Sequence, residues 1–159
     1  MPISITTIPR TQLDEVQVTG ADMSGTARSK TIQKTITTIP TAAGTAEFLV
    51  IVPFASTISS VRVVFKDALA TDNTNFVTFR LINKSAADAD IIAATDANTT
   101  KTTGGSALTA YTPRTMTLTT AAGVDVAAQA ILALRITGAG TLANTLTEGA
   151  LIINTLVAG

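Results

Sequence analysis

The chain has no cysteine and no histidine among its 159 residues. Without cysteine it can form no disulfide, no thiolate metal site and no cysteine nucleophile. Without histidine it lacks the side chain that most often serves as a general base near neutral pH and as a transition-metal ligand. Ser-His-Asp and Cys-His catalytic arrangements therefore cannot form within one chain. We expect a protein that is not an enzyme, has no catalytic residues and carries no cofactor.

Charge is also scarce. Charged residues make up 14% of the chain, whereas an ordinary soluble domain has about 25%. Eleven Lys and Arg balance eleven Asp and Glu, so the formal net charge is +0, while 46% of the residues are hydrophobic. Copies of such a chain repel one another only weakly. We therefore predict that partners, first of all other copies of this chain, cover a sizeable part of its surface.

Other classes of partner are disfavoured. The basic residues are scattered and form no patch of the kind that binds nucleic acid. There is no Trp and one Tyr, so an aromatic platform for stacking sugar rings is missing. The longest apolar run, FLVIVPFA at residues 48–55, is far shorter than the roughly 18 residues of a membrane span. The N-terminus does not resemble a secretion signal.

What the chain has in abundance is threonine, together with valine and isoleucine, and these residues favour strands. In two stretches, apolar and polar residues alternate with a period of two, as expected for strands that have one face toward water. They place Val61, Val63 and Phe65, and then Val77, Phe79 and Leu81, on the inward side. Further strands are predicted at residues 31–39, 114–120, 132–136 and 148–157, with a short one within 85–107. The apolar closing strand is expected to pair inside a sheet.

The stretch EFLVIVPF at residues 47–54 is apolar on both faces. Such a pattern is typical of a strand that is covered on both sides. Pro53 cannot donate a ladder hydrogen bond, so the strand should end or reach a sheet edge there. All five phenylalanines, at positions 48, 54, 65, 76 and 79, are predicted to lie in the core.

About eight strands with polar turns and no helical period predict an all-β protein, an antiparallel β-sandwich. The jelly-roll is the favoured topology. An immunoglobulin-like sandwich is the alternative, although its Cys and Trp markers are absent. Residues 1–30, interrupted by prolines and glycines, are predicted to be an extended N-terminal arm with one short strand at 15–19. Residues 31–159 form the sandwich domain.

The loop at residues 67–75 is the main candidate for a chemical site. Asp67, Asp72, Asn73 and Asn75 offer oxygen ligands of the type that calcium accepts. Asp and Asn also form turns by bonding their own backbone. Only two carboxylates are present and their spacing does not match a calcium-binding loop, so the sequence favours a connector and assigns no metal ligand.

The arm supplies the candidate partner interface. Ile3, Ile5 and Ile8 are isolated apolar residues, and Arg10 and Arg28 belong to a mild basic cluster near its end. An arm of this kind can exchange onto a neighbouring copy by burying its isoleucines or by adding an edge strand. We therefore predict that these five residues contact a partner.

The chain resembles the decoration, or cement, proteins of tailed-bacteriophage capsids, some of which have a jelly-roll domain with a flanking arm. The likeness lies in the polar arm before Thr31, in the pair EFLVIVPF and ISSVRVVFK, and in the ending AAQAILALRITGAGT with LTEGALIINTLV. It implies a non-enzymatic virion protein that is made in the host cytoplasm. It also implies a homotrimer that binds the major capsid protein on the capsid exterior and stabilises the shell.

A second function remains open from the sequence. A jelly-roll of this size is also compatible with a receptor- or glycan-binding module of a phage fibre or spike. The loops at residues 67–75 and 86–107 would then carry the binding site.

Overall fold

The structure is a computed structural model that describes residues 28–37, 39 and 42–157. It contains nine strands: β1 (Ser29–Ile36), β2 (Gly44–Val52), β3 (Ser56–Phe65), β4 (Val77–Asn83), β5 (Ala89–Ile92), β6 (Arg114–Thr115), β7 (Val124–Val126), β8 (Ala130–Gly138) and β9 (Gly149–Val157). Two 3-10 turns, Lys84–Ala86 and Asp96–Asn98, interrupt the loops. No helix in these ranges is long and apolar enough to cross a bilayer.

The strands form two antiparallel sheets. One sheet has the order β1-β9-β3-β6, with β7 also pairing with β3, and the other has the order β2-β8-β4-β5. Since β6 and β7 share the position beside β3, nine strands fill eight positions. This order of two interleaved four-position sheets is that of a jelly-roll. The predicted fold class, an antiparallel β-sandwich, is confirmed.

The core lies between the two sheets and is built by alternation along each strand. Phe65 of β3 and Phe79 of β4 face each other across it, with ring centroids 6.1 Å apart. Strand β9 is central in its sheet, paired with β1 on one side and β3 on the other, as predicted for the closing strand. The largest fully buried side chains also include Ile36, Ile58, Leu69, Leu81, Ile91, Leu132, Leu134 and Ile136.

The two ends of the sandwich differ. At one end, β1, β3 and β8 begin while β2, β4 and β9 end, and the connection from β2 to β3 takes only residues 53–55. We call this the arm end, because the chain enters β1 here. The opposite end holds the long connections 66–76, 93–113 and 139–148, and we call it the loop end.

The structure corrects three predictions from the sequence. Strand β2 is covered on one face only, since Leu49 and Ile51 are exposed. Phe54 is exposed and not part of the core, and Phe76 is half-buried. The predicted strand at 114–120 shrinks to the two residues of β6. Strand β1 begins at Ser29, inside the predicted arm, and the predicted strand at 15–19 lies outside the described residues.

Candidate interaction surface

The loop at 67–75 uses its side-chain oxygens to tie the loop end together. One oxygen of Asp67 accepts bonds from the backbone N–H and the hydroxyl of Thr147, at 2.8 and 2.6 Å. Asn73 accepts from the N–H of Thr103 at 3.0 Å, and Asn75 accepts from that of Thr141 at 2.9 Å. The loop therefore connects to two other segments, 93–113 and 139–148, which supports the connector interpretation.

Asp72 organises the turn within this loop. Its Oδ1 accepts from the N–H groups of Asn75 and Thr74 at 3.0 and 2.7 Å, and its Oδ2 accepts from the amide of Asn75 at 3.2 Å. These bonds lower the pKa of Asp72, because they favour the charged carboxylate. The hydroxyl and N–H of Thr147 lower the pKa of Asp67 in the same way. Both carboxylates serve as acceptors for the protein's own donors.

A shallow groove of about 570 Å³ crosses the outer face of the sheet formed by β2, β8 and β4. Its floor holds Thr45 and Thr137, whose hydroxyl oxygens lie 3.0 Å apart. Arg135 pairs with Glu47 at 2.6 Å on this face. Arg80, which also lines the groove, pairs with Asp90 at 2.6 Å, and this bond raises the pKa of Arg80. Each arginine of the groove is therefore already neutralised by an acid of the same sheet.

Exposed apolar side chains concentrate at the arm end. Six large ones are exposed in the described part of the chain: Leu49 52%, Ile51 56%, Phe54 55%, Ile131 41%, Leu156 45% and Tyr111 72%. All except Tyr111 lie in the half of the sandwich nearer the arm end. Single exposed apolar residues are ordinary, but a cluster of them marks an interaction site.

Three of these residues form one surface, which we call the apolar patch: Leu49 and Ile51 of β2 and Ile131 of β8. Ile51 is paired directly with Ile131, and Leu49 is paired with Ala133. Their neighbours on the inward face, Val50 and Val52, are buried in the core. The apolar patch is therefore the outer face of the same strand pair that walls the core, and it continues to the free edge of β2.

Strand β2 is also an edge strand. It pairs with β8 on one side, and no strand within residues 28–37, 39 and 42–157 pairs with the other side. Natural proteins usually shield a long edge strand with charge, proline or a bulge. Along its nine residues β2 has one charged side chain, Glu47, which is engaged by Arg135. Within the described part of the chain, β2 is therefore an edge without the usual protection against pairing with another strand.

A small apolar cavity of about 180 Å³ lies beside this edge at the arm end, between β1 and the corner from β2 to β3. Ile32, Val52, Pro53 and Phe54 contribute its apolar wall. Ser56 lines it as well, and its hydroxyl is buried without a hydrogen-bond partner among the described residues. Buried hydroxyls nearly always have a partner, so this cavity has the character of a site that a further group completes.

The structure places one of the five predicted interface residues. The guanidinium of Arg28 donates from Nε and Nη2 to the carbonyl of Val157, at 3.4 and 3.3 Å. This contact holds the start of β1 against the end of β9 at the arm end. Ile3, Ile5, Ile8 and Arg10 lie outside the described residues, and their contacts stay a prediction.

Sequence reasoning missed the apolar patch, although a signal for it was present. The both-face apolar pattern of EFLVIVPF shows that both sides of the strand avoid water. It does not show whether the second cover comes from the same domain or from a partner. Ile131 and Leu156 gave no signal, since each looks like one more apolar position in a strand.

The described residues contain no group of three or more Asp and Glu close enough to hold a metal ion. No known protein family matches the chain, and no curated protein matches it. Two solved structures have weak similarity to this chain. One is that of infectious bursal disease virus, Gx strain, at 13% identity and a TM-score of 0.35, covering 83% of this chain and 33% of the viral chain.

The other is that of the Gt strain of the same virus, at 11% identity and a TM-score of 0.31, covering 82% of this chain and 36% of the viral chain. This chain thus spans about a third of the length of the viral chains it matches. Both similarities are weak. Similarity at this level carries no conclusion about function.

Proposed function

We propose that this chain is a virion structural protein, a decoration or cement protein that binds the capsid exterior as an oligomer and stabilises the shell. The observation that carries the proposal is the arm end, where five large apolar side chains are exposed on a domain with a formal net charge of +0. A cluster of exposed apolar side chains of this kind marks a surface that a partner covers.

Two partners follow from the proposal. Other copies of the chain, in a homotrimer, cover part of the arm end, and the major capsid protein contacts the arm. Each isoleucine among Ile3, Ile5 and Ile8, if fully buried on binding, contributes about 1.5–3 kcal/mol. Several arms held on one assembly also bind the shell with a higher effective concentration than one arm does. The location is then the capsid surface, after synthesis in the host cytoplasm.

A binding test with shells addresses this function. Purified protein should be oligomeric by light scattering at micromolar concentration, and it should bind preformed shells and raise the temperature at which they rupture. A variant that lacks residues 1–28 should keep its β-type circular dichroism spectrum and bind shells much more weakly. A monomer without affinity for shells would contradict the proposal, and unchanged binding by the truncated variant would remove the arm from it.

The groove favours one alternative, a receptor- or glycan-binding module. Its threonine hydroxyls can form hydrogen bonds with a neutral, polar sugar, although no aromatic side chain lines it. A glycan array distinguishes the two functions. Saturable binding that is lost in Arg135→Ala would support the module, and an array without hits would retire it.

A further inference from the structure

The free edge of β2 and the cavity beside it have the form of a receiving site. The edge is nine residues long, and among the described residues no strand pairs with its outer side. The apolar patch lies on one side of that edge, and the apolar cavity of about 180 Å³ lies on the other side, toward β1. An added strand sends alternate side chains to opposite faces. The occupant should therefore be an extended segment with apolar residues on both faces.

The chain contains such a segment within its first ten residues. Pro2 and Pro9 bracket the six residues ISITTI, which are uncharged and rich in β-branched side chains. In an extended conformation Ile3 and Ile5 lie on one face and Ile8 on the other. Pro9 would end the pairing, because proline donates no hydrogen bond to a ladder. The segment is thus the length of a typical short strand.

We infer that residues 3–8 of one copy add as a strand to the free edge of β2 of a neighbouring copy. Ile3 and Ile5 then extend the apolar patch beside Leu49 and Ile51, and Ile8 enters the cavity lined by Val52 and Phe54. The inference rests on the proposed assembly into oligomers and names the surface by which the copies are joined.

The position of the arm fits this arrangement. Arg28 is held at the arm end by the carbonyl of Val157, so the preceding chain leaves from the end where the cavity lies. Residues 9–28 separate the segment from β1. Twenty residues span up to about 65–70 Å when extended, whereas a domain of this size has a radius of gyration of about 14 Å. The arm is therefore long enough to reach an adjacent copy.

A neighbouring copy fits better than the chain's own arm. The apolar patch extends over two strands, from Ile51 on β2 to Ile131 on β8. A single added strand covers the edge of β2 and leaves Ile131 open. A neighbour that sends its arm to this edge also brings its own domain close to the rest of the apolar patch.

Disulfide trapping tests the inference cleanly because the natural chain has no cysteine. The variant Ile5→Cys with Ile51→Cys is oxidised in solution, without shells, and run on a non-reducing gel. We expect covalent multimers, the same from Ile3→Cys with Leu49→Cys, and at least tenfold less from Ile8→Cys with Ile51→Cys, because a disulfide forms only between residues that lie opposite each other. The matched control is Ile5→Cys with Tyr111→Cys, which places the second thiol on an exposed residue at the loop end and should give only background.

Four other results would overturn the inference. Internally bridged monomers would show that the arm binds its own chain, and equal trapping at positions 51 and 111 would show that it has no preferred site. An oligomer by light scattering without trapping at position 51 would reject this contact while leaving the proposed function intact. A monomer by light scattering would reject both. Trapping without affinity for shells would reject the proposed function and leave the inference standing.

Discussion

At the scale of single residues, polar side chains take the place of backbone pairing. Asn98 is the clearest example. Its amide donates to the carbonyls of Ala93 and Thr117 at 3.1 and 2.9 Å, and its oxygen accepts from the N–H of Thr117 at 2.7 Å. The N–H and C=O of Thr117 are therefore both hydrogen-bonded, as they would be in a strand, but their partner is a side chain and not a neighbouring backbone. The predicted strand at 114–120 ends early for this reason.

Removing this side chain should be costly. Asn98 is 1% exposed, and Asn98→Ala removes its three hydrogen bonds, to the carbonyls of Ala93 and Thr117 and from the N–H of Thr117. We expect a loss of about 1–3 kcal/mol in the free energy of unfolding, measured by urea denaturation. Asn144→Ala is the control, because Asn144 makes one exposed bond, to the carbonyl of Ala68. Similar losses in the two variants would contradict this role of Asn98.

The lowered pKa of Asp72 gives a second prediction. Its folded pKa lies below the unfolded value of about 3.9. The carboxylate therefore contributes stability that is complete above the unfolded pKa and is lost as the pH falls through the folded pKa. Asp72→Asn should be less stable than the natural protein at pH 7, and its midpoint in urea should fall less between pH 7 and pH 3.

Asp67 behaves in the same direction, so the variant Asp67→Asn with Asp72→Asn should show the weakest dependence on acid. Equal loss of stability in the natural protein and in this double variant would contradict the prediction. The sequence identified both carboxylates as turn formers. It could not identify the amides that bind Asn73 and Asn75, since these lie 30 and 66 residues farther along the chain.

At the scale of elements, alternation of apolar residues predicted the strands that have one wet face. Strands β3, β4, β8 and β9 were placed within a few residues, and Val61, Val63, Phe79 and Leu81 are buried as predicted. Alternation failed at β2, where both faces are apolar. A strand at a partner surface and a strand inside a core have the same composition, so the pattern alone does not separate them.

Two neighbouring residues of β9 test the alternation directly. Ile153 is fully buried between the sheets, whereas Ile152 is half-buried on the outer face. Ile153→Ala should lower the free energy of unfolding by about 2–5 kcal/mol, because it leaves a cavity in the core. Ile152→Ala should cost less than half as much. Chemical denaturation of the two variants provides the measurement, and equal costs would mean that the outer face is as tightly packed as the core.

At the scale of the whole molecule, the strand count and the absence of a helical period predicted a two-sheet sandwich and favoured the jelly-roll. They did not predict that the two ends of the sandwich differ. Ile51, Ile131 and Leu156 are far apart in the sequence and lie near the same end of the sandwich only because the strands pair and stack in this order. Composition indicated that the surface needs a cover. The fold shows that the exposed apolar side chains are concentrated at the arm end.

Charge placed on the apolar patch should separate the copies. We expect Leu49→Lys with Ile51→Lys to keep the spectrum and thermal midpoint of the folded domain, since both side chains are exposed, and to shift the protein toward monomer. Light scattering over a concentration series measures the shift. Tyr111→Lys at the loop end is the control and should leave the oligomer unchanged. If only the Tyr111→Lys variant dissociated, the contact between copies would lie at the loop end and the prediction would be wrong.

The unlike ends also suggest how such a domain could be put to use. Tyr111 is 72% exposed, and it follows a loop that is anchored on the carbonyls of the chain by Arg114 through bonds of 2.7–3.0 Å. A foreign peptide inserted at Tyr111 would be held by this anchored loop. It would point away from any lattice that the arm end binds. The same peptide inserted beside Phe54 would lie in the proposed interface between copies.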